Sequence, residues 1–467
     1  MSVARGRTAR GRARSARAQV PAARPLLRTT DEGEPIRIGP EVIQAQGDRW
    51  VDPFLTANRP ALQRLGLTPE VHSSGGLHML LRPSGRIGAV PLVAPASRRV
   101  AAGVLVSPRF RWSALGEVLS GVGFSVAPTL GGGALVPGSA REVPSWLIAG
   151  PVVRRLETLL SRRRSAFIPR LESRATPRGR VDWGAWVRRQ VPVGRWTSLP
   201  CEFSDLADDP ELMAAVRWTL VRLVEDLRPH ATTVPGRVLT DRVRALQYDI
   251  GEGPLRRPST TFAPAFEGFV ADALEAMGWV ADERGLGGAR ALDGLAWDLE
   301  IADVWEAWVR SFAGALAPQL GMRPPGPGEN RRPLRWEGGV SSMGSLAPDV
   351  GLFGDQRVVW IDAKYKAHLS LLGRHGWRGV TDAVRDAHRA DLHQALAYAA
   401  LVDVDRVDTV LLYPHLGQDD APPPAAVATV ASGRRRVRLV LGAIPFGFRT
   451  PGRADATVRS WRALLAA

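Results

Sequence analysis

The sequence predicts an α/β protein whose C-terminal part is a mixed sheet flanked by helices, behind a β-rich N-terminal region and a helical middle region. Three observations predict it. Short apolar segments such as Gly103–Val106, bounded by Gly and Pro, dominate residues 31–145. From about Pro144 the apolar positions Trp146, Ile148, Val152, Val153, Leu156 and Leu160 recur near helical spacing. Beyond the Pro324–Gly328 cluster the pattern reads strand, strand, helix, strand, loop, strand. The 467 residues then divide into a basic tail (1–30), a β-rich domain (31–145), a helical domain (146–255) and a C-terminal α/β domain (256–467).

The tail holds eight arginines and no acid, so it carries +8 of the formal net charge of +16. It has no apolar segment of the kind a secretory signal needs, and its Arg/Ala/Gly composition predicts disorder. It is either an arm for sequence-independent phosphate contacts, a solvated leader, or the product of a start codon assigned too early. The β-rich domain is interrupted at Gly131-Gly132-Gly133. In the helical domain, Leu212–Leu227 follows Pro210, a residue tolerated at a helix start. A loop at Gly251–Pro258 leads to helices over 262–279 and Leu299–Leu320. The last region has strands near Ala347–Phe353, Arg357–Lys366, Thr409–Tyr413 and Val437–Leu441, a helix near Thr381–Leu401 and a Pro-rich loop at Ala421–Ala425.

Composition excludes several function classes. No apolar run approaches the roughly 18–20 residues of a membrane span, so a cytoplasmic globular protein without a membrane partner is expected. Cys201 is the only cysteine, which excludes an intrachain disulfide and a multi-thiolate zinc site. His368, His375, His388, His393 and His415 form no i, i+4 pair, so no zinc site is expected. There is no GxxxxGK[ST] phosphate loop.

Lysine usage points to the chemistry. Of 62 basic residues only Lys364 and Lys366 are lysine. A GC-rich genome explains the scarcity but not the placement. A lysine kept where arginine is used everywhere else suggests a position that needs a compact ammonium on a flexible stem. In an extended Arg357–Lys366, alternation puts Val358, Trp360, Asp362, Lys364 and Lys366 on one face. A tight turn at Gly354–Arg357 sets Phe353 opposite Val358 and Asp349 opposite Asp362. Two facing carboxylates repel, and a divalent cation resolves the conflict. The competing reading is a solvated hairpin edge; Val358, Val359 and Ile361 argue for a buried strand instead.

Two other elements carry candidates. Glu306 shares a helix face with Leu299, Ala302, Val309 and Ala313, beside Trp305 and Trp308; its partner is either a salt bridge or the metal and lysine. Asp391, Gln394 and Tyr398 form one polar stripe, which either orients a phosphate or the lysine, or is a solvated face.

Pro348-Asp349, Asp362-Ala363-Lys364 and Gln394–Tyr398 together resemble the PD-(D/E)XK nuclease superfamily. The string Asp362-Ala363-Lys364-Tyr365-Lys366 with Gln-x-x-x-Tyr downstream is similar to McrC, the nuclease subunit of McrBC restriction systems. Val106-Ser107-Pro108-Arg109-Phe110, Pro177-Arg178-Gly179-Arg180, Leu199-Pro200-Cys201-Glu202-Phe203 and Trp305-Glu306-x-Trp308-Val309 extend the likeness over about residues 100–415. Ala207–Met213 departs from it, lacking an Asn that the family often carries there. The resemblance implies a DNA endonuclease with Mg²⁺, or Mn²⁺ in its place, held by Asp349, Asp362 and the Ala363 carbonyl. Lys364, Glu306, Gln394 and Tyr398 complete the catalytic set, and Lys366, Arg374 and Arg378 are expected on the DNA backbone. It also implies a partner, a McrB-like AAA+ GTPase or ATPase docked on residues 31–145, and two nuclease domains for double-strand cleavage. A non-catalytic adaptor of such a ring and a standalone repair or mobile-element nuclease stay open as alternatives.

Overall fold

The computed structural model describes residues 24–43, 49–162, 166–207, 209–259, 268–283, 293–326, 328–338, 342–366, 368–415, 425–432, 435–448 and 451–466. It is a mixed α/β chain with two five-stranded sheets and smaller ones among these residues. No described helix is long and apolar enough to cross a membrane.

The N-terminal five-stranded sheet runs in the order Leu26–Thr30, Val100–Ser107, Arg86–Val93, Gly294–Glu300, Thr129–Val136. Its first pair is parallel and the rest antiparallel. Val100–Ser107 is buried along nearly its whole length, as a strand covered on both faces must be. One face packs on the helix Val51–Arg64 through Phe54 and Leu62, the other on the helical layer. That layer contains Ser145–Arg162, Pro210–Leu227, Val234–Ile250 and Gly268–Ala281. Two of its starts are capped: Asp209 accepts from the N–H of Glu211 and Leu212, with Pro210 at the first helical position, and Thr233 accepts from the N–H of Gly236.

The C-terminal sheet runs in the order Val350–Phe353, Arg357–Ala363, Arg406–His415, Arg435–Pro445, Ala426–Ser432. The two outer pairs are antiparallel and the two inner pairs parallel. The parallel step from Arg357–Ala363 to Arg406–His415 needs a crossover, and Asp382–Ala399 supplies it, capped by Thr381. Ile301–Leu316 hangs on the same sheet by two indole bonds. Trp305 Nε1 donates to the Leu412 carbonyl at 3.2 Å and Trp308 Nε1 to the Pro445 carbonyl at 3.0 Å. The hairpin register is the expected one: Phe353 pairs Val358, and Gly354 N–H closes on the Arg357 carbonyl at 2.9 Å.

Several expectations are corrected. Within the tail expected to be disordered, residues 1–23 lie outside the described residues, but Leu26–Thr30 is a strand, because Leu26 and Leu27 bury against Val100–Ser107. Gly131-Gly132-Gly133 lies inside Thr129–Val136, and the expected break is a shift of register there, between the pairs Leu295–Leu135 and Trp297–Leu130. A Cβ at Gly131 would meet the Arg64 guanidinium and Ala296, so glycine there admits close neighbours. The expected helix Leu299–Leu320 starts at Ile301 and ends at Leu316, and Leu299 sits in a strand. That strand, Gly294–Glu300, belongs to the N-terminal sheet, so a boundary at 256 does not separate the two sheets. The helical region also carries a three-stranded sheet of Ala166–Arg174, Leu199–Ala207 and Arg180–Val181. Residues 262–267 and 421–424 of the expected helix and loop lie outside the described residues.

Candidate active site

The hairpin register, continued by one residue beyond the pair Val350 and Ile361, sets Asp349 against Asp362. Asp349 Oδ2 accepts the Ala363 N–H at 2.7 Å, which fixes the half-buried carboxylate at the end of the strand. Asp362 is 3% exposed. Lys364 Nζ stands 2.6 Å from Asp362 Oδ2 and donates to Gln394 Oε1 at 2.8 Å. Gln394 Nε2 in turn donates to the Tyr398 hydroxyl at 2.6 Å. The Lys364 N–H donates to the Leu412 carbonyl at 2.9 Å, so its backbone is held by the neighbouring parallel strand. Asp349, Asp362, Lys364, Gln394 and Tyr398 thus converge from two strands and one helix. The stripe on Asp382–Ala399 is not a solvated face: Asp391 and Tyr398 are buried and Gln394 reaches the lysine.

Electrostatics explain what the carboxylates want. Burial raises Asp362 to about 6, against the lowering effect of Lys364, and Asp349 adds to the rise. Burial also raises Asp349, opposed by the Ala363 N–H and helped by the charge of Glu306. Two facing carboxylates whose charged forms are disfavoured fit an oxygen-ligated divalent cation. Burial raises Glu306 too, and its carboxylate lies 3.5 Å from Arg310 while feeling both Asp362 and Lys364. The salt-bridge partner of Glu306 is therefore its own helix neighbour, with the acid pair and lysine within electrostatic reach.

A stability prediction follows from the raised Asp362. With a folded value of about 6 against an ordinary 3.8, its neutral form favours the fold. That contribution is complete below the ordinary value and is lost as pH rises through about 6. In chelator, Asp362→Asn is expected to flatten this part of the Tm–pH profile, with a difference on the order of 1–3 kcal/mol between its ends. A variant profile parallel to that of the parent protein would contradict the assignment.

Of the residues expected on the DNA backbone, Lys366 donates to Asp391, at 2.8 Å from Oδ1 and 3.0 Å from Oδ2, with its side chain 39% exposed. Asp391 draws it in because its buried carboxylate needs a cation. Arg374 and Arg378 are exposed on the adjoining helix His368–Gly379, which kinks at Gly376 with φ 67°.

Sequence reasoning missed Tyr365. It lies between the two lysines and points to the opposite side of the strand, where its hydroxyl donates to Asp31 Oδ2 at 2.6 Å. Asp31 is fully buried and accepts the Arg109 N–H at 2.7 Å. The Arg109 guanidinium lies 4.4 Å from the Tyr365 ring centre, a cation–π distance. The lysine strand is thus tied to the N-terminal sheet. Tyr365→Phe leaves a buried carboxylate oxygen short of a donor and is expected to cost about 1–3 kcal/mol in urea unfolding. An unchanged midpoint would show that the tie carries no stability. An aromatic residue between two lone lysines was the available signal, but its partner is 334 positions away.

Also missed was the small sheet with its short helices at Trp183–Gln190, which leaves Leu171, Trp183, Val187, Val193 and Trp196 exposed.

No family model matches the chain, and no curated protein matches it. Solved structures do. It is similar to McrBC complex chains. One is from a refined half-complex of a tetradecameric assembly of Thermococcus gammatolerans McrB AAA+ hexamers with bound McrC, at 12% identity and a TM-score of 0.41, covering 94% of this chain and 99% of that one. Another is from the cryo-EM structure of the Thermococcus gammatolerans McrBC complex, at 11% identity and a TM-score of 0.24, covering 62% of this chain and 87% of that one. The functional reading rests on the side chains themselves.

Proposed function

We propose that the chain is a Mg²⁺-dependent DNA endonuclease of the PD-(D/E)XK kind, acting as the McrC-like cutting subunit of a restriction or anti-phage defence complex. The observation that carries this reading is the convergence of Asp349, Asp362, Lys364, Gln394 and Tyr398 at the edge of a mixed sheet. Asp349 and Asp362 would hold the cation, with the Ala363 carbonyl as a third ligand. When bound, Mg²⁺, or Mn²⁺ in its place, supplies Lewis acidity and makes water a better nucleophile. Lys364 offers its ammonium to the charge that develops on the phosphate. Gln394 orients that ammonium, and Tyr398 orients Gln394. Glu306 adds negative potential beside Asp362 and Lys364. Arg374 and Arg378 supply phosphate contacts that carry no sequence information.

The absence of a phosphate-binding loop from this sequence supports a division of labour in which a McrB-like AAA+ partner hydrolyses nucleotide. Residues 31–145 would dock on it, and the exposed Trp183, Val187, Val193 and Trp196 offer further apolar side chains for contact. Double-strand cleavage would bring two copies together. The test is cleavage of a supercoiled plasmid by the purified chain, alone and with its partner, in Mg²⁺ and in EDTA. Cleavage is expected to require Mg²⁺ and to vanish in Asp349→Ala. Cleavage that survives EDTA, or full partner-dependent defence by Asp349→Ala, would overturn the reading; the second outcome would make the chain an adaptor.

A further inference from the structure

The histidine spacing carries no metal pattern, yet two helices bring His368, His388 and Asp391 together with their donor atoms within 4.8 Å of one another. His388 and Asp391 stand at i and i+3 on Asp382–Ala399 and share a face. They are 3% and 4% exposed. His368 opens the helix His368–Gly379 and faces them.

We propose that these three side chains form a cation site of the zinc class, separate from the Asp349–Asp362 pair. Two imidazoles and one carboxylate are a donor set for zinc or cobalt, whereas an all-oxygen set suits Mg²⁺. His368 Nδ1 is buried without a hydrogen bond, 3.7 Å from Asp391 Oδ2. Two donors on one tetrahedral zinc ion stand about 3.4 Å apart, so this spacing needs little closure. The Tyr413 hydroxyl lies 3.3 Å from His388 Nδ1 and engages one ring nitrogen, leaving the other for the cation. Metal-bound imidazoles are oriented by such partners. Burial lowers His388 from the ordinary imidazole value, which favours the neutral, ligating form.

The Lys366 ammonium now occupies the cationic place beside Asp391, on both carboxylate oxygens. A bound metal ion takes that place and releases Lys366. Lys364 Nζ lies 3.8 Å from Asp391 Oδ1, so the site adjoins the candidate active site through one carboxylate. None of this depends on the nuclease reading.

The test uses the full chain with Asp349→Asn and Asp362→Asn, which removes the other carboxylate pair. After incubation with Co²⁺ alone and gel filtration in millimolar Mg²⁺, about one cobalt per chain is expected, with the visible absorption of a low-coordinate imidazole site. His388→Gln and, separately, His368→Gln are expected to lose at least tenfold in cobalt affinity. His368 lies nearer the surface, so its variant serves if His388→Gln does not fold. No retained cobalt, cobalt displaced by Mg²⁺, or retention unchanged in His368→Gln would overturn the site.

Discussion

Lys364→Arg is expected to slow Mg²⁺-dependent DNA cleavage about 10²–10³-fold, the loss typical of removing one donor to a developing oxyanion. The substitution keeps the positive charge, so it asks whether geometry or charge matters. Lys364 Nζ sits in a space bounded by Asp362 at 2.6 Å, Gln394 at 2.8 Å and Asp391 at 3.8 Å. Its side chain is 13% exposed. A planar guanidinium is wider than an ammonium and cannot place one N–H at the same point without displacing Gln394 or Asp362. DNA affinity, measured in Ca²⁺ or EDTA, is expected to stay within about twofold, because phosphate contacts elsewhere supply it. The loss should therefore fall on kcat. Asp362→Ala should be at least as severe. Full activity in Lys364→Arg would remove the argument for a special lysine.

Asp408→Ala is expected to destabilise the C-terminal sheet by about 3–5 kcal/mol, because it strips the anion from a buried cluster of cations. Asp408 is fully buried. Arg357 reaches its Oδ2 at 2.5 Å, Arg438 its Oδ1 at 3.4 Å and Arg406 its Oδ2 at 3.5 Å. The same three arginines donate to the last carbonyls of Pro451–Ala466: Arg357 to Leu465 at 2.6 Å, Arg406 to Leu465 at 2.9 Å and Arg438 to Leu464 at 3.0 Å. A helix C-terminus carries partial negative charge, so the carboxylate and the helix end share the neutralisation of three guanidiniums. Arg357 and Arg406 keep some solvent contact, which places the effect toward the lower end of the range. In thermal melts this corresponds to a fall on the order of 10 °C. Asp408→Asn, which keeps the shape and loses the charge, should fall between. A melt unchanged by Asp408→Ala would show that the helix end alone balances the arginines.

How much of this was legible can be argued from particular residues. The hairpin of Val350–Phe353 and Arg357–Ala363 was legible because turn chemistry and period-two alternation are local properties. That is why Asp349, Asp362 and Lys364 could be set together from sequence. The Gln394–Tyr398 stripe was legible as a stripe, but its target was not, since a helix face does not say what it faces. Lys366 was read as a DNA contact, and its ion pair with Asp391 was not legible, because Asp391 lies on a helix 25 positions away. Gly294–Glu300 was read partly as helix because Leu299 continues the helical spacing of Ala302, Val309 and Ala313; pairing with Arg86–Val93 and Thr129–Val136 made it a strand.

What the sequence determined by itself about this protein is the pair of lysines in a chain of arginines, the facing carboxylates beside them and the mixed α/β class, all set by composition or by spacing within a few residues. Only the tertiary structure decided that Tyr365 binds Asp31 from 334 positions away, that His368 and His388 meet over Asp391, and that three arginines close on Asp408. Those contacts join buried polar groups across the fold. A buried polar group takes whichever partner packing brings within reach, because leaving it without one costs more than any local preference.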